Sequence, residues 1–183
     1  MRKKKIPQAQ VMVIQGSETD AKFSNMFLGI LKACNVTYEH HTASAHWHIE
    51  NYGPFLDAIK QDIIVFIGGM SLVAPGIISA YYRNKGLHEK QIIGIPTDVA
   101  ARSACEDLPL GTPLLTPGLN TVSVSHSIQN GALAVAKLVY LITKDPKIYE
   151  GLQNWFSETR AKKKIWKTEL GEDGLIPVKE EKK

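Results

Sequence analysis

Short β-type apolar runs alternate along this chain with longer stretches of helical periodicity, and few folds are compatible with that order. The strand-like runs are Val11–Gln15, Thr37–Thr42, Asp62–Ile67, Gln91–Pro96 and Thr121–Val124. Because helical stretches lie between these runs, the strands are expected to be parallel, with crossover helices covering the faces of the sheet. The sequence therefore predicts an α/β fold with a parallel, flavodoxin- or Rossmann-like sheet.

The helical stretches carry apolar residues on one face, as core-facing helices do. They are predicted over about 20–34, 49–61 and 127–143 and after Pro75, and a last one begins at Asp145–Pro146. In the first of them, one stripe contains Phe23, Met26, Phe27, Ile30, Leu31 and Cys34. Cys34 is therefore expected to be a small buried hydrophobe rather than a nucleophile.

A chain of 183 residues fits one globular domain of ordinary size. The α/β pattern places this domain at 9–160, after a basic N-terminal arm at 1–8. Beyond Thr159 the sequence becomes Lys-rich and then contains Gly, Pro and Glu. Residues 161–183 are therefore expected to form a charged C-terminal tail, either mobile or packed on a neighbouring subunit.

The net charge of +4 and the isoelectric point near 9.0 first suggest binding to polyanions. The positive charge lies at the two ends, however. Residues 1–8 contain four cations, and residues 160–183 contain eight cations against five acids. Residues 9–159 contain ten cations and thirteen acids, so the expected domain is mildly acidic and no nucleic-acid partner is predicted.

The sequence also limits the expected compartment. It contains no run of 18 apolar residues and no small-residue cleavage site after the basic N-terminus, so neither a membrane span nor a signal peptide is expected. The two cysteines, Cys34 and Cys105, form no CxxC pair. A reducing, cytoplasmic setting is the expectation.

In an open α/β sheet, ligands bind at the carboxyl ends of the strands, and polar residues follow the first strand directly. Gly16 permits a tight turn, the hydroxyls of Ser17 and Thr19 and the free amides of a helix start suit a phosphate, and Asp20 can accept from ribose hydroxyls. The alternative is plain helix capping by Ser17 or Thr19.

The second and third strands are also followed by residues that suit a binding cleft. Ser44, Ala45, His46 and Trp47 follow the second strand, and histidine exchanges protons near neutral pH. His41 and His48 lie close by, but no cysteine or clear carboxylate pattern accompanies them, and no metal is expected. The third loop begins Gly68, Gly69, Met70, Ser71. Its paired glycines permit close approach to a ligand, or they form only a tight turn.

Taken in order, these loops resemble the PurE family of purine biosynthesis, which comprises N5-carboxyaminoimidazole ribonucleotide mutases and aminoimidazole ribonucleotide carboxylases. GSETD, SAH and a glycine loop ending in Pro75-Gly76 follow the first three strands. Further similarity lies at Gly94-Ile95-Pro96, at 108–113 and at 130–134, so the resemblance covers about 10–160.

The resemblance implies a three-layer α/β/α sandwich that assembles as a homo-octamer, with sites lined by neighbouring subunits. It implies an enzyme that moves or adds a carboxyl group at C4 of aminoimidazole ribonucleotide, using CO2 or bicarbonate and no cofactor. His46 is then the general acid and base. The residues implied to bind the substrate are Gly16, Ser17, Thr19, Asp20, Ser44, Ala45, Trp47, Gly68, Gly69, Met70 and Ser71.

The chain also departs from the family pattern. Trp47 stands where the family usually has a cation that meets the substrate phosphate, and Val73 stands where the mutases have a histidine. The carboxylases have Gly-Arg-Ser-Asn where this chain has 69–72. Two alternatives therefore stay open: a non-catalytic relative that binds a nucleotide or a protein partner, and an enzyme of the same fold whose substrate lacks the phosphate.

Overall fold

Five parallel strands form the central sheet of the computed structural model, which describes residues 9–47, 49–69, 72–87, 89–98, 121–123, 127–162, 168–171 and 174–177. The strands are β1 (Val11–Gln15), β2 (Tyr38–Thr42), β3 (Ile63–Gly68), β4 (Gln91–Pro96) and β5 (Thr121–Ser123). Their order in the sheet is β2-β1-β3-β4-β5. This is the flavodoxin-like order, so the predicted fold class is confirmed.

The helices of the described chain also follow the sequence prediction. They are α1 (Ala21–Ala33), α2 (Ile49–Ala58), α3 (Ala74–Asn84), α4 (Ile128–Thr143) and α5 (Pro146–Lys162), with one 3-10 turn at Glu18–Asp20 before α1. The helix α2 ends three residues before the predicted Gln61 and contains Pro54. The Ser127 hydroxyl accepts a hydrogen bond from the Asn130 amide at 3.3 Å, which caps the start of α4.

Side chains alternate across β1 and divide the interior into two cores. Val11 and Val13 pack into one core with α1, α4 and α5, whereas Met12 and Ile14 pack into the other with α2 and α3. All five residues of β1 are buried, as expected for a strand covered on both faces. The resulting three layers, helices on each side of one sheet, place the carboxyl ends of β1, β2, β3 and β4 along one edge.

Cys34 is fully buried at the end of α1, and its burial raises the pKa of its thiol. The expectation of a buried hydrophobe is confirmed. A Cβ added at Gly151 would lie 2.7 Å from the Cα of Cys34, so α5 approaches α1 more closely than a side chain at 151 would allow. Cys105 lies outside the described residues.

One sequence expectation needs correction. The sequence places Met26 on the buried stripe of α1, but Met26 is 55% exposed, whereas Leu28, outside that stripe, is buried. The expected tail contains a two-stranded antiparallel sheet, β6 (Thr168–Gly171) with β7 (Gly174–Pro177). Gly171 pairs with Gly174 in this sheet.

Within the described residues, none of the helices combines the length and apolar character that crossing a bilayer would require. Residues 1–8, assigned from sequence to a basic arm, lie outside the described part of the chain.

Candidate active site

One open cleft of about 520 Å³ lies at the carboxyl edge of the sheet. Its described lining comes from the ends of β1, β2 and β3 and the start of α3. The lining residues are Gly16, Ser17, Asp20, Ser44, Ala45, His46, Trp47, Phe66, Gly68, Gly69, Val73 and Ala74. The structure therefore brings together nine of the residues singled out from the sequence, which lie on three separate loops.

The remaining three expected residues have different positions. Thr19 does not line the cleft, but its hydroxyl lies 2.6 Å from the Ser17 hydroxyl. Met70 and Ser71 lie outside the described residues. The sequence prediction for those two stays a prediction.

The loop after β1 is held by hydrogen bonds at each end. The Gly16 amide donates to the Ile67 carbonyl at 2.9 Å, which ties the loop to the end of β3. The Ser17 hydroxyl donates to Asp20 Oδ2 at 2.8 Å, and the Thr97 hydroxyl donates to Asp20 Oδ1 at 2.8 Å. Ser17 precedes the 3-10 turn but forms no side-chain cap there, so its hydroxyl serves Asp20 rather than helix capping.

Asp20 is the charged side chain among the described lining residues, and it is only 7% exposed. A buried carboxylate must be compensated by hydrogen bonds, and both of its oxygens have one. No Lys or Arg occurs among those lining residues. The described cleft thus offers acceptors for ligand hydroxyl groups and no cation for a phosphate.

The loop after β2 is much less constrained. His46 is exposed, and its backbone amide makes a long contact of 3.4 Å with the Ser44 hydroxyl. Trp47 is 81% exposed at the rim of the cleft. Ala45 of this loop is buried in the core and the partly buried Ala43 packs against the same core, so these two residues anchor the loop.

His41 does not join His46 in the cleft lining. Its ring nitrogen lies 2.9 Å from Glu39 on β2, and this hydrogen bond, followed by one from Gln61, lowers the pKa of the Glu39 carboxyl. His48 lies outside the described residues. In the described part of the chain, no three His, Cys, Asp or Glu side chains are grouped so as to hold a metal ion.

The paired glycines after β3 make room for the protein's own side chains. A Cβ at Gly68 would lie 2.7 Å from the Phe66 ring, and a Cβ at Gly69 would collide with the Asp98 carboxylate. Gly68 and Gly69 also line the cleft, as predicted. The space that a side chain would take at Gly68 and Gly69 is nevertheless occupied by Phe66 and Asp98, which the sequence did not predict.

Leu72 carries the backbone strain of this loop. Its φ of 53° lies in the left-handed region, which is costly for a branched, bulky residue. Its amide donates to the Gly69 carbonyl at 3.1 Å, and its side chain is buried against Gly94, where an added Cβ would lie 2.7 Å from Leu72 Cδ2. Packing on β4 thus holds Leu72 in place ahead of α3.

Sequence reasoning missed the contribution of the fourth strand. Thr97 and Asp98 follow β4 directly, and their side chains reach Asp20 and Gly69 respectively. The signal was the same one used for the other loops: a polar pair at the carboxyl end of a parallel strand.

Comparisons with known proteins were made for the whole chain. A family model described as AIR carboxylase matches residues 10–162. The N5-carboxyaminoimidazole ribonucleotide mutase of Methanocaldococcus jannaschii is 28% identical over 156 residues, which are 85% of this chain and 92% of that protein. A probable N5-carboxyaminoimidazole ribonucleotide mutase of Methanobrevibacter smithii is 28% identical over 144 residues, or 74% of this chain, but this chain spans only 39% of its length.

Two crystal structures from Treponema denticola have the same fold. PurE superimposes with a TM-score of 0.58 at 19% identity, covering 83% of this chain and 92% of the other. A PurE2 variant superimposes with a TM-score of 0.59 at 18% identity, covering 83% and 91%. In both cases the match covers nearly the whole of the compared structure.

Proposed function

Because the chain belongs to the AIR carboxylase family, we propose that it is a purine-biosynthesis enzyme that moves or adds a carboxyl group at C4 of aminoimidazole ribonucleotide. The observation that carries the proposal is the meeting of His46, Asp20 and Gly68 in one cleft. These residues follow three different strands, and each was expected on family resemblance to serve this chemistry.

Moving a carboxyl group from N5 to C4 exchanges it with a proton. The N5–carbon bond breaks and releases CO2 as N5 gains a proton, and a bond then forms between C4 and CO2 as C4 loses its proton. One side chain that both gives and takes a proton suffices, and histidine suits both directions near neutral pH. Among the described lining residues His46 is the histidine, and it is exposed, so its ring can turn toward a ligand.

The other lining residues have binding roles in this proposal. Asp20 accepts from the ribose hydroxyls, while Ser17 and the Gly16 turn face the phosphate end. Thr19, outside the described lining, acts through the contact between its hydroxyl and that of Ser17. Ser44 and Ala45 line the side of the site, and Gly68, Gly69, Met70 and Ser71 face the base and the transferred CO2. Phe66 forms an apolar floor beneath Gly16 and Gly68, which suits retention of CO2 away from water.

The names of both curated relatives favour the mutase reaction over direct carboxylation. Purified protein should convert N5-carboxyaminoimidazole ribonucleotide into the C4-carboxylated isomer. A parallel reaction with aminoimidazole ribonucleotide and bicarbonate measures the carboxylase alternative. Turnover of neither substrate above the rate without enzyme would contradict the proposal.

Two variants make this assay specific for the cleft. His46→Asn should abolish turnover, whereas His41→Asn should keep it, because His41 is bound to Glu39 on β2 outside the cleft lining. A comparison of phosphorylated and dephosphorylated substrates shows whether the phosphate is required.

The proposal includes a cytoplasmic homo-octamer whose neighbouring subunits complete each site. Three apolar side chains near the cleft are exposed, namely Trp47, Ile49 and Val73. Their exposure supports the proposal that a neighbouring subunit or a ligand covers the cleft rim. Exposed apolar groups at a cleft rim are typical of surfaces that another chain or a ligand covers. Size-exclusion chromatography with light scattering should give a mass of about eight chains, and a monomeric mass would overturn this part.

A further inference from the structure

Asp20 is held from two sides by hydroxyl groups that lie far apart in the sequence. Ser17 belongs to the same loop, but Thr97 follows β4, 77 residues away. Thr97 is 8% exposed, and its hydroxyl donates to Asp20 Oδ1 at 2.8 Å. The family resemblance of the loops assigns no role to Thr97. The hydrogen bond between Thr97 and Asp20 is therefore an additional feature of the site.

The path from Thr97 to Asp20 crosses the end of β3, which lies between β1 and β4 in the sheet. The Thr97 amide donates to the Gly68 carbonyl at 2.9 Å, which fixes Thr97 just past the last residue of that strand. The Thr97 hydroxyl therefore reaches the first loop across the end of β3.

This contact determines which way the carboxylate faces. An ionised carboxylate has about four acceptor sites on two oxygens. One site on Oδ1 is taken by Thr97 and one on Oδ2 by Ser17, so the plane of the group is fixed from both sides. Asp20 still lines the cleft, which leaves its remaining acceptor sites for a ligand.

We infer that Thr97 is a positioning residue, whose hydroxyl holds the Asp20 carboxylate in the orientation that accepts the ribose hydroxyls of the substrate. The inference rests on the proposed function, since it assumes a ribose-bearing ligand in this cleft. Thr97 acts through Asp20 and touches neither the base nor the transferred carboxyl group. It should therefore affect substrate binding much more than the chemical step.

The test compares Thr97→Val, which removes only the hydroxyl, with Thr97→Ser, which keeps it. Thr97→Val should raise KM about tenfold, the effect of losing one hydrogen bond to a charged group, with kcat within about twofold of the original. Thr97→Ser should restore KM. Thr143→Val is the matched control, because the Thr143 hydroxyl donates to the Val139 carbonyl on α4, outside the cleft lining.

A double-mutant cycle separates positioning from a general structural effect. In an Asp20→Asn background, Thr97→Val should change KM by less than about twofold, because the two residues act as one unit. An unchanged KM in Thr97→Val, or a full additional loss in the double variant, would overturn the inference. If Thr97→Val does not fold, Thr97→Ala carries the same prediction.

The proposed function and this inference fail in different ways. If the wild-type protein shows no turnover, the proposed function is contradicted but the inference about Thr97 is not. The affinity for aminoimidazole ribonucleotide, measured by calorimetry, then replaces KM as the quantity that is compared. About tenfold weaker binding by Thr97→Val still supports the positioning role. Equal affinity of the two proteins, or no binding by either, overturns it.

Discussion

The loops that follow β1 and β2 form opposite sides of the same cleft but are built in contrasting ways. In the first, Asp20 is buried and hydrogen-bonded through both oxygens to Ser17 and Thr97. In the second, His46 and Trp47 are exposed, and the His46 amide makes a long contact of 3.4 Å with the Ser44 hydroxyl.

The difference separates binding from proton transfer. A carboxylate that is oriented before the ligand arrives loses little entropy on binding, so it contributes affinity and direction. A histidine that is free to turn can approach one atom as an acid and another as a base. The first loop is therefore expected to determine affinity, and the second to determine rate.

The largest expected effect comes from the exposed loop that follows β2. His46→Asn removes the proton-transfer group and should lower kcat by about 10²–10⁴-fold. Because His46 is exposed, the melting temperature should stay unchanged. A large loss of stability with normal kcat would show that the second loop is structural.

Asp20→Asn tests the buried side. Loss of the charge that the Ser17 and Thr97 hydroxyls stabilise should lower the free energy of unfolding by about 1–3 kcal/mol and raise KM about tenfold or more. Asp57→Asn is the control, since Asp57 pairs with Lys85 on the surface and its change should leave KM unaltered. A melting temperature and KM equal to those of wild type would contradict a carboxylate that is oriented before the ligand binds.

Gly69→Ala tests how the buried side is assembled. The added Cβ would take the place of the Asp98 carboxylate and disturb the link between β3 and β4, with an expected cost of about 1–3 kcal/mol in unfolding free energy. Gly29→Ala in α1 is the opposite case. Nothing lies within 4 Å of its added Cβ, so it should stabilise the protein by about 0.5–1 kcal/mol. Denaturant titration of both variants should give opposite signs.

The smallest expected effect concerns the rim. Trp47→Arg places a cation where the described lining has none, and should strengthen binding of a phosphorylated ligand severalfold relative to its dephosphorylated form. Ile49→Arg adds the same charge outside the cleft lining and serves as control. Equal gains from both variants would indicate general electrostatic attraction and no local phosphate contact.

The same comparison explains what could be predicted from sequence. The strand boundaries agreed to within one residue, most directly for the buried strands β1 and β3, which are nearly continuous apolar runs between turn residues. Cleft residues could be assigned for the first three loops, because strand ends share one edge. The contact of Thr97 with Asp20 joins residues 77 positions apart across an intervening strand, and no local pattern records that geometry. The exposure of Met26 could not be read from local sequence either. More than one face of α1 carries apolar residues, and only packing decides which of them are buried.

Calorimetric titration of aminoimidazole ribonucleotide, without bicarbonate, into wild type, His46→Asn and Asp20→Asn tests the division between the two loops most directly. We expect His46→Asn to bind with a Kd within about threefold of the wild-type Kd, and Asp20→Asn to bind at least about tenfold more weakly. Weak binding by His46→Asn together with unimpaired binding by Asp20→Asn would contradict this division.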